Sequence, residues 1–174
     1  MLFRSVNLII IGKDFSNGKI ESLIKSFKLE SKVILLGQLD NPFNILKECD
    51  CYVLSSLFEG FPNALTEAMC CGLPIIASNC KSGPKEILDD SIELNVDNVY
   101  LAKYGILYPE IAECKGEDYT PTIYAENEFL ANAMELIVND ENLRRRLKEK
   151  GLERVKNFSY SVCKNKFISI IEEK

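Results

Sequence analysis

Two glutamates, Glu59 and Glu67, are separated by seven residues in a stretch that joins a strand end to a helix start. An apolar run at 51–54 precedes the first glutamate. Pro62 has a fixed φ and no amide N–H, which suits the first position of a helix. Glu59 is therefore predicted in the loop before a helix, and Glu67 on the second turn of that helix.

This arrangement predicts a pocket for a sugar nucleotide. Unpaired amides at a helix N-terminus favour phosphate, whereas carboxylates accept hydrogen bonds from sugar hydroxyls. The diphosphate would lie at the helix start, with one glutamate for each sugar. A second interpretation treats Glu59 and Glu67 as exposed or capping acids beside a positive helix end. The two glutamates by themselves do not decide between a sugar-nucleotide pocket and a pair of exposed or capping acids.

The elements that would position this pocket alternate between strands and helices. Strands are predicted at 7–11, 33–36, 51–54, 73–77 and 105–108, and helices at 19–29, 41–48, 63–71, 83–88, 128–138 and 141–156. This order predicts an α/β fold, a Rossmann-like doubly wound parallel sheet with a helical C-terminal tail. At 174 residues, a single domain is expected. Ligands of such sheets bind beyond the carboxyl ends of the strands, where the loops at Gly12, Gly37, Glu59 and Asn79 emerge.

Two stretches lie outside the alternation. Residues 89–99 are acidic and weakly patterned, and residues 110–126 are expected to form an exposed, mobile loop. In the tail, the basic run 144–146 has two interpretations. It is a solvated helix face with glutamates such as Glu149 and Glu153 nearby, or a contact for an anionic membrane surface. The first is favoured.

Composition excludes several function classes. A net charge of −5 argues against nucleic acid as a partner, and no apolar run is long enough to span a bilayer. The apolar segment near the start is too short for a signal peptide. Seven cysteines, no C-x-x-C pair and no histidine indicate free, mostly buried thiols in a reducing cytoplasm. A redox or metal role is the lesser alternative.

The glycine-bearing stretch from Gly12 to Lys19 resembles a phosphate-binding loop only superficially. The glycines are one residue too far apart for a Walker motif, and Ile20 stands where Ser or Thr would bind magnesium. The stretch does not match G-x-G-x-x-G either. An ordinary strand-to-helix turn is the favoured interpretation. The chain also has no Asp-x-Asp to clamp a metal-bound diphosphate, so no metal is expected.

Residues 55–78 resemble the E-x7-E region of family 4 glycosyltransferases, which are retaining enzymes of the GT-B fold. Residues 79–88 resemble the bacterial members that build lipopolysaccharide, capsule and N-linked oligosaccharides. The resemblance covers about 7–88 and resumes at 104–109 and in the helical tail. It implies a hexosyl- or other glycosyltransferase that uses a nucleotide-diphosphate sugar, with a UDP-sugar expected, to extend a cell-surface glycan.

The resemblance also implies roles for individual residues. Glu67 accepts hydrogen bonds from the ribose hydroxyls, and Glu59 is the catalytic candidate beside the donor sugar and its phosphate. The backbone amides of Gly60, Phe61 and Asn63 approach the sugar and diphosphate.

The resemblance also places other loops at the border of the sugar-nucleotide pocket. Gly37, Gln38 and Leu39 border the base, and Gly12 belongs to a glycine-bearing loop at the pocket. Lys81 and Ser82 lie in a loop that faces the cleft between domains, and the resemblance leaves their role open.

The chain departs from the family pattern at its beginning. A GT-B enzyme has an acceptor domain first, and the opening strand of its second domain carries an Arg and a Lys directed at the donor phosphates. Residues 1–174 lack both features. They are expected to be the donor-binding half, inactive alone, whose glycan or lipid-linked acceptor needs the missing N-terminal domain. The alternative is a non-catalytic sugar-nucleotide-binding module or subunit. Either is expected in the cytoplasm, with peripheral membrane association of a full enzyme left open.

Overall fold

The computed structural model describes residues 6–90, 96–110 and 126–172, which form two compact units. The described part of unit 1 is residues 6–44. The described part of unit 2 is residues 45–90, 96–110 and 126–172. Residues 111–125 of the predicted loop at 110–126 and residues 91–95 of the acidic stretch at 89–99 lie outside the described residues, and Glu126 begins a helix.

Unit 1 is a strand–helix–strand unit. It contains β1 (Leu8–Ile11), α1 (Lys19–Ser26) and β2 (Val33–Gly37), with the strands parallel and Leu8 opposite Val33. The helix ends earlier than predicted because the chain turns at Lys28, whose φ is +56°. A short helix, α2 (Phe43–Leu46), spans the boundary with unit 2. Several apolar side chains of the two strands are exposed, including Leu8, Ile34 and Leu35.

Unit 2 is built on a four-stranded sheet in the order β3-β4-β6-β5. Its strands are β3 (Tyr52–Leu54), β4 (Ile75–Ser78), β5 (Tyr100–Leu101) and β6 (Ile106–Tyr108). The pairs β3–β4 and β4–β6 are parallel, as predicted. The short β5 was not predicted and pairs antiparallel with β6.

Five helices lie wholly within the described part of unit 2. They are α3 (Asn63–Cys70), α4 (Pro84–Leu88), α5 (Glu126–Asn139), α6 (Glu141–Arg154) and α7 (Tyr160–Glu172), with a 3₁₀ turn at Val155–Phe158. Asp140 separates α5 from α6, because its carboxylate Oδ1 accepts a hydrogen bond from the Leu143 amide at 2.9 Å. In the described residues no helix is both long enough and apolar enough to cross a membrane.

The core of unit 2 lies on both faces of this sheet. Successive residues of β4 alternate, so that Ile75 and Ala77 pack with α3 residues such as Leu65, whereas Ile76 packs in a second cluster with Ile137 of α5. A parallel sheet covered on both faces needs apolar residues at every position of a central strand. This explains why β4 is buried throughout, and it confirms the predicted doubly wound α/β class.

The basic run at the start of α6 has structural roles. Nη1 of Arg144 donates to the carbonyl oxygens of Ile137, at 2.5 Å, and Val138, at 2.9 Å, which caps the end of α5. Arg145 donates to the Asn142 side chain at 2.5 Å. These contacts agree with the favoured interpretation of the run as part of an exposed helix surface.

Candidate functional site

The loop between β3 and α3 places the first glutamate at the carboxyl end of a strand. β3 ends at Leu54 and α3 begins at Asn63, so Glu59 lies in the loop and Glu67 on the helix. Pro62 precedes the helix, with φ −72° and ψ 92°, instead of being its first residue. The predicted start of the helix at residue 63 is confirmed, and the extended ψ of Pro62 makes it the residue before the helix.

The amides at this helix start are available to a ligand. Pro62 offers its carbonyl to the amides of Leu65 and Thr66, at 3.1 and 3.4 Å. The amides of Gly60 and Asn63 make no hydrogen bond with any other described residue. Unpaired N–H groups at a helix start carry a partial positive charge and attract anions. The local geometry therefore provides the donors that a phosphate requires.

Glu59 is held from two directions. Its carboxylate Oε1 accepts a hydrogen bond from Ser56 Oγ at 2.7 Å, and its backbone carbonyl accepts one from Ser82 Oγ at 2.6 Å. Ser78 Oγ in turn donates to the Ser56 carbonyl at 2.5 Å. The loops that follow β3 and β4 are thus joined at Glu59.

The side chain of Glu67 is exposed, and its carboxylate forms no hydrogen bond within the described part of the chain. Burial raises the pKa of Tyr52, and the charges of Glu59 and Glu67 raise that pKa further. Glu59 and Glu67 belong to one continuous loop–helix segment of unit 2.

A close backbone contact fixes the glutamate loop against α4. A Cβ placed on Gly83, which immediately precedes α4, would lie 2.6 Å from the Gly60 carbonyl oxygen and 2.8 Å from Pro62 Cδ. Gly83 has a φ of +84° and a ψ of −79°, a conformation that residues with a side chain seldom adopt. Glycine is therefore required at this position both by its neighbours and by its backbone.

The ring of Phe61 anchors the same loop to the C-terminal part of unit 2. It packs edge-on against Phe158, with ring centroids 5.3 Å apart and an interplanar angle of 66°. Arg154 lies over Phe158 and donates to the carbonyl oxygens of Glu86, at 2.8 Å, and Ile87, at 3.0 Å. The Arg154 guanidinium therefore joins the end of α4 to the segment that supports Phe61.

Lys81 and Ser82 lie in the loop after β4 and are exposed. Lys81 pairs with Phe58 through an isolated parallel bridge. Ser82 has a left-handed φ of +76°, and its hydroxyl binds the Glu59 backbone. The sequence left the role of Ser82 open, and the structure shows a contact that supports the glutamate loop.

The predicted residues of unit 1 lie at the carboxyl ends of β1 and β2. The Gly12 amide donates to the Gly37 carbonyl oxygen at 2.8 Å, so these two loops are adjacent. Gly37 has a φ of +66°, which directs the chain away from the strand. Gln38 and Leu39 follow directly. The role of these residues beside a base stays a prediction.

The cysteines are less buried than predicted. All six described cysteines are free thiols, but Cys80 alone among them is buried, whereas Cys70 and Cys163 are exposed. Cys70 is the last residue of α3, a helix whose buried residues are Leu65, Ala68 and Met69. No group of three or more potential metal ligands occurs among the described residues.

Comparison with known proteins places this chain in a family. Residues 2–98 match the family model described as glycosyl transferases group 1, which is more than half of the chain. The chain belongs to this glycosyltransferase family. An uncharacterized glycosyltransferase of Methanocaldococcus jannaschii is 39% identical over 160 residues, covering 90% of this chain and 39% of the relative.

A second relative, from Campylobacter jejuni, transfers N-acetylgalactosamine to an undecaprenol-diphosphate-linked acceptor, according to its name. It is 27% identical over 154 residues, covering 88% of this chain and 35% of the relative. This chain thus spans about two fifths of the length of these two relatives.

Solved glycosyltransferase structures share the fold. HepE of Anabaena in complex with UDP matches with a TM-score of 0.71 at 18% identity, over 98% of this chain and 42% of HepE. Sucrose-phosphate synthase from Thermosynechococcus elongatus matches with a TM-score of 0.71 at 24% identity, over 96% of this chain and 38% of the synthase. These likenesses confirm the predicted fold class, that of one half of a GT-B enzyme.

Sequence reasoning missed the polar residues that support Glu59. Ser56 lies three residues before Glu59, a spacing that permits a side-chain contact in a tight loop. The spacing of three residues could therefore have identified Ser56 as a partner of Glu59 from the sequence. The contribution of Ser78 had no comparable signal, because Ser78 is 22 residues from Ser56 and meets it only through the parallel pairing of β3 with β4.

Proposed function

We propose that this group 1 chain is the nucleotide-sugar-binding domain of a retaining glycosyltransferase that transfers a sugar from a nucleotide-diphosphate donor to a growing cell-surface glycan. The observation that carries the proposal is the pair of carboxylates, Glu59 and Glu67, flanking the amide donors at the start of α3.

The two glutamates have different surroundings, which suit different tasks. Glu67 is exposed and unpaired within the described residues, so both carboxylate oxygens are available to the vicinal hydroxyls of a ribose. Glu59 is half-buried and held by Ser56, which suits a fixed contact with the donor sugar and its phosphate. In this proposal Glu59 is the catalytic residue of the pair.

The diphosphate binds at the amides of Gly60, Phe61 and Asn63. Charge-assisted hydrogen bonds from backbone N–H groups to phosphate oxygens are about twice as strong as neutral ones. In retaining transfer they would stabilise the charge that develops on the departing nucleoside diphosphate. No metal ion or other cofactor is needed in this proposal, since the chain has no Asp-x-Asp and the helix start supplies the positive potential.

A uridine nucleotide is the proposed donor, and the acceptor lies outside this chain. A galactosyltransferase of Escherichia coli, whose name specifies UDP-Gal and an undecaprenol-linked acceptor, is 39% identical over 75 residues. Relatives that are about two and a half times as long leave room for an acceptor domain. We therefore expect residues 1–174 alone to bind the donor and not to transfer its sugar. Such an enzyme would work in the cytoplasm or at the cytoplasmic face of the membrane.

Calorimetric titration of UDP into residues 1–174 tests the binding role. Glu67→Ala should weaken UDP binding by about 1–3 kcal/mol, because the ribose hydroxyls lose their acceptor in a partly desolvated site. Glu149→Ala, which removes an exposed glutamate of α6, is the matched control and should leave UDP affinity unchanged. Equal UDP affinity of the parent and Glu67→Ala would contradict the ribose role.

Transfer itself requires a longer protein. Fusion to an upstream acceptor domain should produce sugar transfer from UDP-sugars to a lipid-linked glycan, because orientation of two substrates contributes several kcal/mol to barrier lowering. Glu59→Ala should then lower kcat more than it lowers nucleotide affinity. UDP binding without any transfer by the extended protein would favour a non-catalytic module.

A further inference from the structure

The carboxylate of Glu59 is fixed by a short chain of serines. Ser78, the last residue of β4, donates to the Ser56 carbonyl. Ser56 then donates its hydroxyl proton to Glu59 Oε1 at 2.7 Å. Ser78 is buried in the sheet, so this chain of contacts begins at a rigid point.

The Ser56 contact limits the orientations of the glutamate side chain. A glutamate has three rotatable bonds, and ordering such a side chain costs about 1–2 kcal/mol when nothing else holds it. Within the described residues, the hydrogen bond from Ser56 is the one hydrogen bond of this carboxylate. It occupies Oε1 and leaves Oε2 without a partner in the described part of the chain. One carboxylate oxygen is thus anchored, and the other is left to bind a ligand.

We propose that Ser56 is a positioning residue that holds Glu59 for the donor sugar. This inference rests on the proposed function, since it assigns Ser56 the task of ordering the catalytic glutamate before the donor arrives. Preorganised groups contribute more to binding and catalysis than groups that must first be ordered. Ser56 itself touches no substrate in this scheme and acts through Glu59.

The neighbouring serine offers a matched control. Ser55 is exposed and makes no hydrogen bond to another described residue. Ser55→Ala therefore changes the same loop and the same residue type without touching Glu59. Ser56→Ala removes the donor, whereas Ser56→Thr keeps a hydroxyl at the same position.

Calorimetry with UDP and with UDP-glucose, UDP-galactose and UDP-N-acetylgalactosamine tests the assignment in residues 1–174. For the UDP-sugar that the parent binds most tightly, Ser56→Ala should weaken binding about five- to tenfold, the equivalent of one hydrogen bond of ordinary net strength. Binding of UDP should change less than twofold. Ser56→Thr should restore most of the loss, and Ser55→Ala should match the parent.

A double-mutant cycle separates positioning from general support of the loop. In a Glu59→Ala background, Ser56→Ala should cause no further loss of UDP-sugar affinity, because its effect passes through the carboxylate. Additive losses would overturn the proposal. Equal losses for UDP and UDP-sugar, without rescue by Ser56→Thr, would also overturn it, since they indicate a structural role.

Side-chain dynamics test the proposal without any ligand. Carbon-13 relaxation of the Glu59 methylene groups, assigned by comparison with Glu59→Ala, should show a restricted side chain in the parent and in Ser56→Thr and a mobile one in Ser56→Ala. An equally ordered Glu59 in Ser56→Ala refutes the positioning role. If the parent binds none of the nucleotides, the proposed function fails, while this measurement still decides whether Ser56 orders Glu59.

Discussion

Replacing Gly83 by alanine should disturb the glutamate loop more than an equivalent change elsewhere. The new Cβ would lie 2.6 Å from the Gly60 carbonyl oxygen and 2.8 Å from Pro62 Cδ, both closer than atoms can pack. Neither neighbour is the flexible end of a side chain. Relief of the contact therefore requires movement of the backbone that joins Glu59 to α3.

The destabilisation has two parts. A left-handed φ costs an alanine about 1–2 kcal/mol relative to glycine, and the ψ of −79° places Gly83 in a less favourable region than an ordinary left-handed turn. Overpacking against a fixed backbone costs about 1–3 kcal/mol more. Gly83→Ala should therefore lower the free energy of unfolding by about 2–5 kcal/mol.

Gly72→Ala is the matched control within unit 2. Gly72 has a similar φ of +80°, but a Cβ there would meet Cε of Lys148 at 2.9 Å. The exposed end of this lysine can move aside, so Gly72→Ala should lose only the conformational part, about 1–2 kcal/mol. Urea unfolding monitored by circular dichroism measures both variants. Equal destabilisation of the two would refute the claim that the Gly83 contact is rigid.

Three further outcomes are expected. UDP affinity should be the same in excess chelator as in magnesium, and loss of binding on chelation would reveal a metal site. Arg154→Lys should lower the free energy of unfolding by about 1–3 kcal/mol, because lysine cannot serve the Glu86 and Ile87 carbonyls together; an unchanged urea midpoint would contradict this. Burial raises the pKa of Tyr108 to about 12, so ionisation of this phenol opposes folding: the fold keeps its full stability below pH 10 and loses about 2–3 kcal/mol by pH 12. Tyr108→Phe should unfold at the same urea concentration as the parent at pH 7, or a higher one, and should lose less stability between pH 10 and 12.

The last expectation depends on an unusual hydroxyl. Tyr108 is buried, and its phenol oxygen has no hydrogen-bond partner among the described residues. Ser78 lies close enough to moderate the Tyr108 pKa, but the Ser78 hydroxyl donates to the Ser56 carbonyl and makes no hydrogen bond of ordinary geometry with Tyr108. Removal of an unpaired buried hydroxyl should not destabilise the fold. A Tyr108→Phe variant less stable at pH 7 would show that the phenol has a partner.

Local patterns predicted the main features of the glutamate loop. The apolar run before Glu59, the proline at 62 and the helical spacing of Leu65, Ala68 and Met69 are signals within a few residues of one another. They predicted where the strand ends and the helix starts to within one residue. The resemblance of residues 55–78 to known glycosyltransferases predicted that the chain belongs to a glycosyltransferase family.

Contacts between distant residues could not be predicted in this way. The packing of Phe61 on Phe158 joins residues far apart in sequence, and it depends on how α6 packs against α3. The antiparallel β5 is only two residues long and has no alternation that could indicate it. The exposure of Cys70 depends on which face of α3 is buried, whereas the prediction rested on the average behaviour of free cysteine.

The open sheet of unit 1 affects how this chain will behave at high concentration. Parallel strands are normally covered on both faces, yet Leu8 of β1 and Ile34 of β2 are 44% and 47% exposed. Each of these strands has one edge without a partner strand among the described residues, and exposed apolar strands with unpaired edges are templates for intermolecular pairing and aggregation. Purified residues 1–174 should therefore aggregate during storage in concentrated solution. A charged residue in place of Ile34 is a practical starting point for improving their solubility.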